Sequence, residues 1–269
     1  MEERFEHILY EKRGHIAYVT FNRPDVLNAL HNEAHEELAE AFDDFRQDDD
    51  AWIAIITGAG DRAFCAGFDL KAAARNQEVS RQRRQQGLPL NPMPTFAGIT
   101  KGFDCPKPLI AAVNGYAMGG GVETILACDI VVAAEHARFA LSEPRVGLIP
   151  GAGGIHRLVR QIPLKQAMGL LLTGRQIGAE EALRYGIVNE VVPLSELMDA
   201  AERWAEQILS CAPLSVRLIK QMANEGLEQP LEEALAGDFD RAMTLLDTED
   251  FREGPLAFAE KRKPEWKGQ

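Results

Sequence analysis

Three short apolar runs, each rich in branched or small side chains, most constrain what this chain can fold into. Trp52-Ile53-Ala54-Ile55-Ile56-Thr57 leads into Gly58-Ala59-Gly60, Leu109-Ile110-Ala111-Ala112-Val113 into Asn114-Gly115, and Ile130-Val131-Val132-Ala133-Ala134 forms a third. Uninterrupted runs of this length, closed by glycine or another small residue, are the signature of buried strands. Upstream, residues 7 to 11 and 15 to 21 cluster β-branched and aromatic residues around Arg13-Gly14 and read as a hairpin. A helix follows: Asn32 can cap it, Leu38, Ala41, Phe42 and Phe45 recur at helical spacing, and Asp48-Asp49-Asp50 closes it. Strands alternate with helices to about residue 193, so the class is α/β.

After Pro193 the pattern is wholly helical, with segments near 194 to 210, 214 to 225, 231 to 246 and 249 to 260. Their apolar faces need cover from the core or from a sister subunit. The expected division is therefore a core over 1–193 and a helical, oligomerising region over 194–269. No internal repeat has a constant period. Between Lys71 and Lys107 lies a long polar and proline-rich stretch, from Arg75-Asn76-Gln77-Glu78 to Pro92-Met93-Pro94, of a length often found in lids.

At 269 residues, 46% hydrophobic and 26% charged, the chain can bury a large core. Its formal charge of −12 opposes nonspecific binding to nucleic acid or to anionic membrane. The acidic start Met1-Glu2-Glu3-Arg4-Phe5-Glu6 does not resemble a secretory signal, and the longest apolar runs are broken by Glu123, Asp129 or Glu135. A cytoplasmic protein is expected. Cys65, Cys105, Cys128 and Cys211 are too scattered for a zinc knuckle or a redox pair and read as free thiols. His31 and His35 lie at i and i+4 but lack the zinc-protease arrangement, since Glu33 is displaced; they read as an exposed helix start. His156 reads as an ordinary, partly exposed histidine, and Trp52, Trp204 and Trp266 as packing residues.

The chemistry-bearing residues sit beside glycine-rich turns. Asn114-Gly115-Tyr116-Ala117-Met118-Gly119-Gly120-Gly121-Val122-Glu123 is followed by Ser142-Glu143-Pro144 and by Ile149-Pro150-Gly151-Ala152-Gly153-Gly154. Three successive glycines exceed what a tight turn needs and imply close backbone approach, with the Gly120 amide at a helix N-terminus where an anion is favoured. Their spacing does not fit a dinucleotide-binding loop, and there is no phosphate-loop lysine. Taken singly, Glu123 and Glu143 could each be a glutamate at a helix start. Together they can add water to a carbon–carbon double bond, one accepting a proton and the other donating one, with no metal.

Those motifs, with Asn22-Arg23-Pro24-Asp25-Val26-Leu27-Asn28-Ala29-Leu30 and the loop Arg62-Ala63-Phe64-Cys65-Ala66-Gly67-Phe68-Asp69-Leu70-Lys71, resemble the enoyl-CoA hydratase/isomerase (crotonase) family over essentially the whole chain. The resemblance implies a spiral of ββα turns with a helical C-terminal trimerisation region. It implies that the Phe68 and Gly120 amides form an oxyanion hole for a thioester carbonyl. It further implies that the Ala66 backbone meets the adenine, that Arg62 and Lys71 lie near the coenzyme A phosphates, and that Phe258 and Lys261 approach the cofactor of an adjacent subunit. Coenzyme A would enter only as part of the substrate, with no permanently bound cofactor, and the assembly would be a homotrimer or a dimer of trimers. Both acidic positions of the hydratase pattern are filled, which favours water chemistry. The stretch from Gly254 to Trp266, together with Ala66-Gly67-Phe68-Asp69-Leu70-Lys71, is also similar to those of carnitinyl-CoA dehydratases. The expected activity is enoyl-CoA hydration; its rivals are dehydration of a carnitinyl or other branched 3-hydroxyacyl-CoA, double-bond isomerisation, and a noncatalytic scaffold binding RNA or aiding assembly.

Overall fold

The computed structural model of the chain describes residues 5–69, 71–72, 81–86 and 95–269. Two sheets organise it. The larger has six strands in the order β1 (Ile8–Arg13), β2 (Ile16–Phe21), β3 (Ile53–Gly58), β5 (Leu109–Val113), β7 (Ile130–Ala134) and β10 (Glu190–Val192). The β1–β2 hairpin is antiparallel and every later pairing in this sheet is parallel. The smaller sheet runs β4 (Ala63–Cys65), β6 (Tyr116–Met118), β8 (Arg138–Ala140) and β9 (Ile177–Gly178). In each turn of the chain a strand of the large sheet is followed directly by one of the small sheet: β3 by β4, β5 by β6, β7 by β8. This is the expected ββα spiral. The turns are unequal in length, which is why the sequence shows no constant period.

Both faces of the large sheet are covered. Ile53 and Ile55 of β3 and Ile110 and Ala112 of β5 pack on one side against Leu197, Ala200, Ala201 and Ala205 of α6 (Leu197–Leu209). Their neighbours Ala54, Ile56, Ala111 and Val113 face the other way, into a core shared with Leu38, Ala41, Phe42 and Phe45 of α1 (Asn32–Gln47). The period-2 geometry of a strand sends alternate residues to opposite faces, so strands covered on both sides must be apolar throughout. Trp52, Trp204 and Trp266 all belong to or pack on the α6 side, as packing residues should.

Two details of α1 differ from the sequence expectation. Its N-cap is His31, whose Nδ1 accepts a hydrogen bond from the Ala34 amide at 3.3 Å, one position before Asn32. His35 is not part of an exposed helix start but is buried. Between β6 and β10 come α2 (Gly120–Ile125), α3 (Gly154–Gln161), α4 (Leu164–Thr173) and α5 (Ala179–Tyr185). After α6 the chain continues through α7 (Pro213–Gly226), α8 (Leu231–Met243) and α9 (Glu249–Glu260). These last three helices, with the residue that caps α7, leave Ile219, Leu227, Leu231, Leu235, Phe251, Leu256 and Phe258 exposed. No helix of the described residues is long and apolar enough to cross a membrane.

The end of α1 is tied to the entry of β5 by Lys107, a buried lysine whose Nζ donates to the carbonyls of Phe45 at 2.7 Å and Asp48 at 2.6 Å. The last carbonyls of a helix have no partner within it, and here an ammonium supplies one. Burial pushes the Lys107 amine below its ordinary value, so much of its attraction is offset by desolvation. Lys107→Met should expose two unpaired carbonyls and destabilise the fold by roughly 1–3 kcal/mol. Chemical denaturation of the two proteins checks this; an unchanged midpoint would mean that the carbonyls find other partners.

Candidate active site

The small sheet builds the site. Strands β4, β6 and β8 are parallel neighbours, with Cys65 opposite Ala117 and Met118 opposite Ala140. Their carboxyl ends therefore lie side by side, the place where open parallel sheets bind ligands. From β4 the chain runs into Ala66-Gly67-Phe68, from β6 into Gly119-Gly120, and from β8 into Ser142-Glu143. Phe68 is held by a parallel bridge to Leu30: the Leu30 amide donates to the Gly67 carbonyl at 2.9 Å and the Asp69 amide to the Leu30 carbonyl at 2.8 Å. That pattern turns the Phe68 amide to the opposite side. Among the described residues neither this amide nor that of Gly120, the first residue of α2, has an acceptor. A Cβ built on Gly67 would stand 3.4 Å from the Gly120 nitrogen, so the two turns are in contact. Two free amides on touching turns, one at a helix start, can hold an oxyanion.

The three glycines have three separate causes. Gly119 has φ 51°, and a Cβ on it would lie 2.9 Å from the Glu143 Oε1. At Gly120 a Cβ would run into the ring of Phe96, 2.2 Å from its Cζ, and at Gly121 into the Cys65 carbonyl oxygen at 2.2 Å. The close approach read from the sequence is real, but within this chain it is made by a carboxylate, an aromatic ring and a neighbouring strand.

Glu123 is 3% exposed. Its Oε1 accepts from the Gly154 amide at 2.8 Å, and the nearby Ala152 amide also favours the charged carboxylate. Gly154 opens α3, so the second glycine-rich turn cradles Glu123, although in sequence it is nearer Glu143. Burial raises the acid's pKa above its ordinary value, while these two amides, Lys101 and Arg157 oppose the rise. Glu143 stands in the one-turn helix Glu143–Val146, where Ser142 makes no side-chain cap. Burial, with a smaller contribution from the charge of Glu123, raises its pKa to about 7. Its Oε2 is buried and has no hydrogen-bond partner among the described residues. The two carboxyl groups thus sense one another yet occupy different surroundings, one amide-bound and the other nearly unassisted.

The remaining candidates are more exposed. Arg62 is on the surface, with Nη2 donating to the Pro24 carbonyl at 3.0 Å. Ala66 is half-buried and its amide donates to Leu27 at 3.0 Å. Lys71 is exposed beside Asp69, whose carboxylate accepts from the Lys71 and Ala72 amides and pairs with Arg23 at 3.3 Å. Phe258, 88% exposed, and Lys261, exposed in a left-handed conformation, end α9. His156 is exposed. All four cysteines are free; Cys65 is buried, which pushes its thiol up to about 12 and removes it as a nucleophile. Among the described residues no group of three or more His, Cys, Asp or Glu could hold a metal ion. The expected lid between Lys71 and Lys107 falls in part on residues 73–80 and 87–94, outside the described residues.

Comparison with known proteins gives the family of the chain. The sequence model of the enoyl-CoA hydratase/isomerase family matches residues 11–269. The chain belongs to that family. It is similar to carnitinyl-CoA dehydratase of Escherichia coli K12, 44% identical over 262 residues that cover 96% of this chain and 97% of the relative. The carnitinyl-CoA dehydratase of Proteus mirabilis is likewise 44% identical over 261 residues, with the same coverage. In structure it is similar to the enoyl-CoA hydratase of Mycobacterium tuberculosis H37Rv, with a TM-score of 0.88, 36% identity and coverage of 98% and 99%. The Bacillus anthracis enoyl-CoA hydratase gives 0.87, 36%, and coverage of 98% and 100%.

A carboxyl group whose folded-state pKa lies near 7 rather than 4.5 holds its proton more tightly when folded. Its contribution to stability is full below about 4.5 and is lost as pH rises through about 7. Glu143→Gln keeps a neutral side chain at every pH. Its melting temperature should exceed that of the unsubstituted protein at pH 8, and the difference should shrink steadily toward pH 4. A difference independent of pH would mean that Glu143 titrates as an ordinary carboxylate.

Proposed function

We propose that this chain is an acyl-CoA hydro-lyase that adds water across the 2,3 double bond of an enoyl-CoA. The observation that carries the reading is the pair Glu123 and Glu143, held in unlike environments beside two unpaired amides. The Phe68 and Gly120 amides receive the thioester oxygen, which draws electrons from the β-carbon. Water attacks that carbon and gives a proton to Glu123, the better hydrogen-bonded of the two carboxylates. Glu143, whose raised pKa of about 7 keeps a large share of it protonated at neutral pH, delivers a proton to the α-carbon. The reverse sequence is dehydration: Glu143 takes the α-proton and Glu123 protonates the departing hydroxyl.

A second reading, dehydration of carnitinyl-CoA or another branched 3-hydroxyacyl-CoA, is favoured by the curated relatives named carnitinyl-CoA dehydratase. Comparing turnover of crotonyl-CoA with that of carnitinyl-CoA separates the two. In both, Ala66, Arg62 and Lys71 hold the coenzyme A portion from this chain, and Phe258 and Lys261 reach it from an adjacent subunit; the exposure of the latter two supports that role. Coenzyme A belongs to the substrate and no resident cofactor takes part. We further propose a cytoplasmic protein built as a core over 1–193 and an oligomerising region over 194–269, with no nucleic-acid or membrane partner.

Glu123→Gln and Glu143→Gln should each slow hydration by about 10²-fold or more, with little change in affinity for a coenzyme A thioester. The double variant should lose little beyond either single one, because both groups serve one step. Progress is followed by loss of the enoyl absorbance. A Glu123→Gln enzyme that keeps its rate while Glu143→Gln loses it would identify an isomerase instead. For the assembly, light scattering should give a mass that is a multiple of three chains of 29.7 kDa. A fully active monomer at micromolar concentration contradicts this.

A further inference from the structure

We infer that His35 is a positioning residue for the thioester carbonyl: its imidazole braces, from behind, the two turns that supply the oxyanion amides. The inference rests on the role proposed above for the Phe68 and Gly120 amides. His35 is 1% exposed, on the inner face of α1. Its ring meets the Phe68 ring, with centroids 5.7 Å apart, and the Phe96 ring at 4.6 Å. Phe68 carries one of the two amides. Phe96 lies over the other, its ring filling the space where a side chain at Gly120 would be. One imidazole therefore backs both donors.

The turn that presents Phe96 depends on the same residue. Ala97 has φ 51°, a left-handed conformation that strains a residue with a Cβ, and Gly98 follows at φ 73°. Gly98 is pressed so closely onto α1 that a Cβ there would lie 2.9 Å from the Ala39 nitrogen. The Ala97 amide donates to His35 Nδ1 at 3.1 Å. This bond fixes the tautomer, since an Nδ1 that accepts leaves the proton on Nε2. Burial, assisted by nearby His31, lowers the imidazole pKa to about 4, so the brace is uncharged at neutral pH. A charged ring there would lose the Ala97 hydrogen bond.

Oxyanion donors act only where they are aimed, and a displacement of about 1 Å can cost on the order of 10²-fold in rate. His35→Asn is the informative variant. Its side-chain oxygen can still accept from Ala97, but the ring contacts with Phe68 and Phe96 are gone. The measurements are kcat and KM for an enoyl-CoA, and the carbonyl stretching frequency of the bound thioester by difference infrared spectroscopy. The expected result is a fall in kcat of roughly tenfold to a hundredfold, a change in KM of less than about threefold, and a carbonyl band moved back toward its free position. Phe96→Leu, which leaves His35 and its hydrogen bond in place, should shift the band in the same direction and serves if His35→Asn does not fold. A side chain that merely fills the core would lower the melting temperature and leave both kcat and the band unchanged; that result overturns the inference. An unshifted band in the unsubstituted enzyme would instead remove the oxyanion reading itself.

Discussion

Parallel pairing among β4, β6 and β8 decides where every reactive group lies. None of these strands exceeds three residues, too few to be stable as a sheet in isolation. Each is held because the preceding strand of the large sheet delivers it into register. The large sheet, apolar on both faces, supplies the stability, and the small one converts it into alignment. A functional site on paired strands is more sharply defined than one on free loops. The Phe68 turn, the Gly120 turn and Glu143 follow neighbouring strand ends, and Glu123 comes from the helix that begins at one of those same turns.

The two carboxyl groups illustrate how one fold separates two pKa values with few charged residues. At Glu123 the backbone acts: Gly154 and Ala152 present amides at the start of α3, which offset the cost of burying a charge. Glu143 receives little such help and is left near neutrality by burial. The charge of Glu123 adds to this asymmetry, because an ionised neighbour discourages ionisation of the second group.

Much of this was legible in the sequence. The apolar runs at Trp52, Leu109 and Ile130 give the large sheet, and the helical spacing of Leu38, Ala41, Phe42 and Phe45 gives α1. The small sheet was not legible, since three-residue strands leave no measurable periodicity and read as loops. Glu123 and Glu143 stood out because each lies beside glycines, yet the assignment of glycines to glutamates was crossed: the turn at Gly151 to Gly154 serves Glu123, from a distance in sequence that no local pattern reveals. His35 was hidden for the opposite reason. Two histidines one helical turn apart near polar residues look solvent-facing, and only the arrival of the Phe96 turn on α1 buries the second.

The spiral also separates what may vary from what may not. Between β6 and β7 the chain has room for α2 and little else, so that crossover is fixed by the geometry of the reacting groups. The crossover from Cys65 to Leu109 is anchored at both ends by strand pairing, and the entropy of closing a loop rises only slowly with its length. Residues can be gained or lost between the Phe68 turn and the Phe96 turn without altering the spacing of the carboxyl groups or the amides. The architecture thus keeps the reacting groups on short lengths of chain anchored by strands and packed turns, and the chain between those anchors can drift in length while the groups stand still.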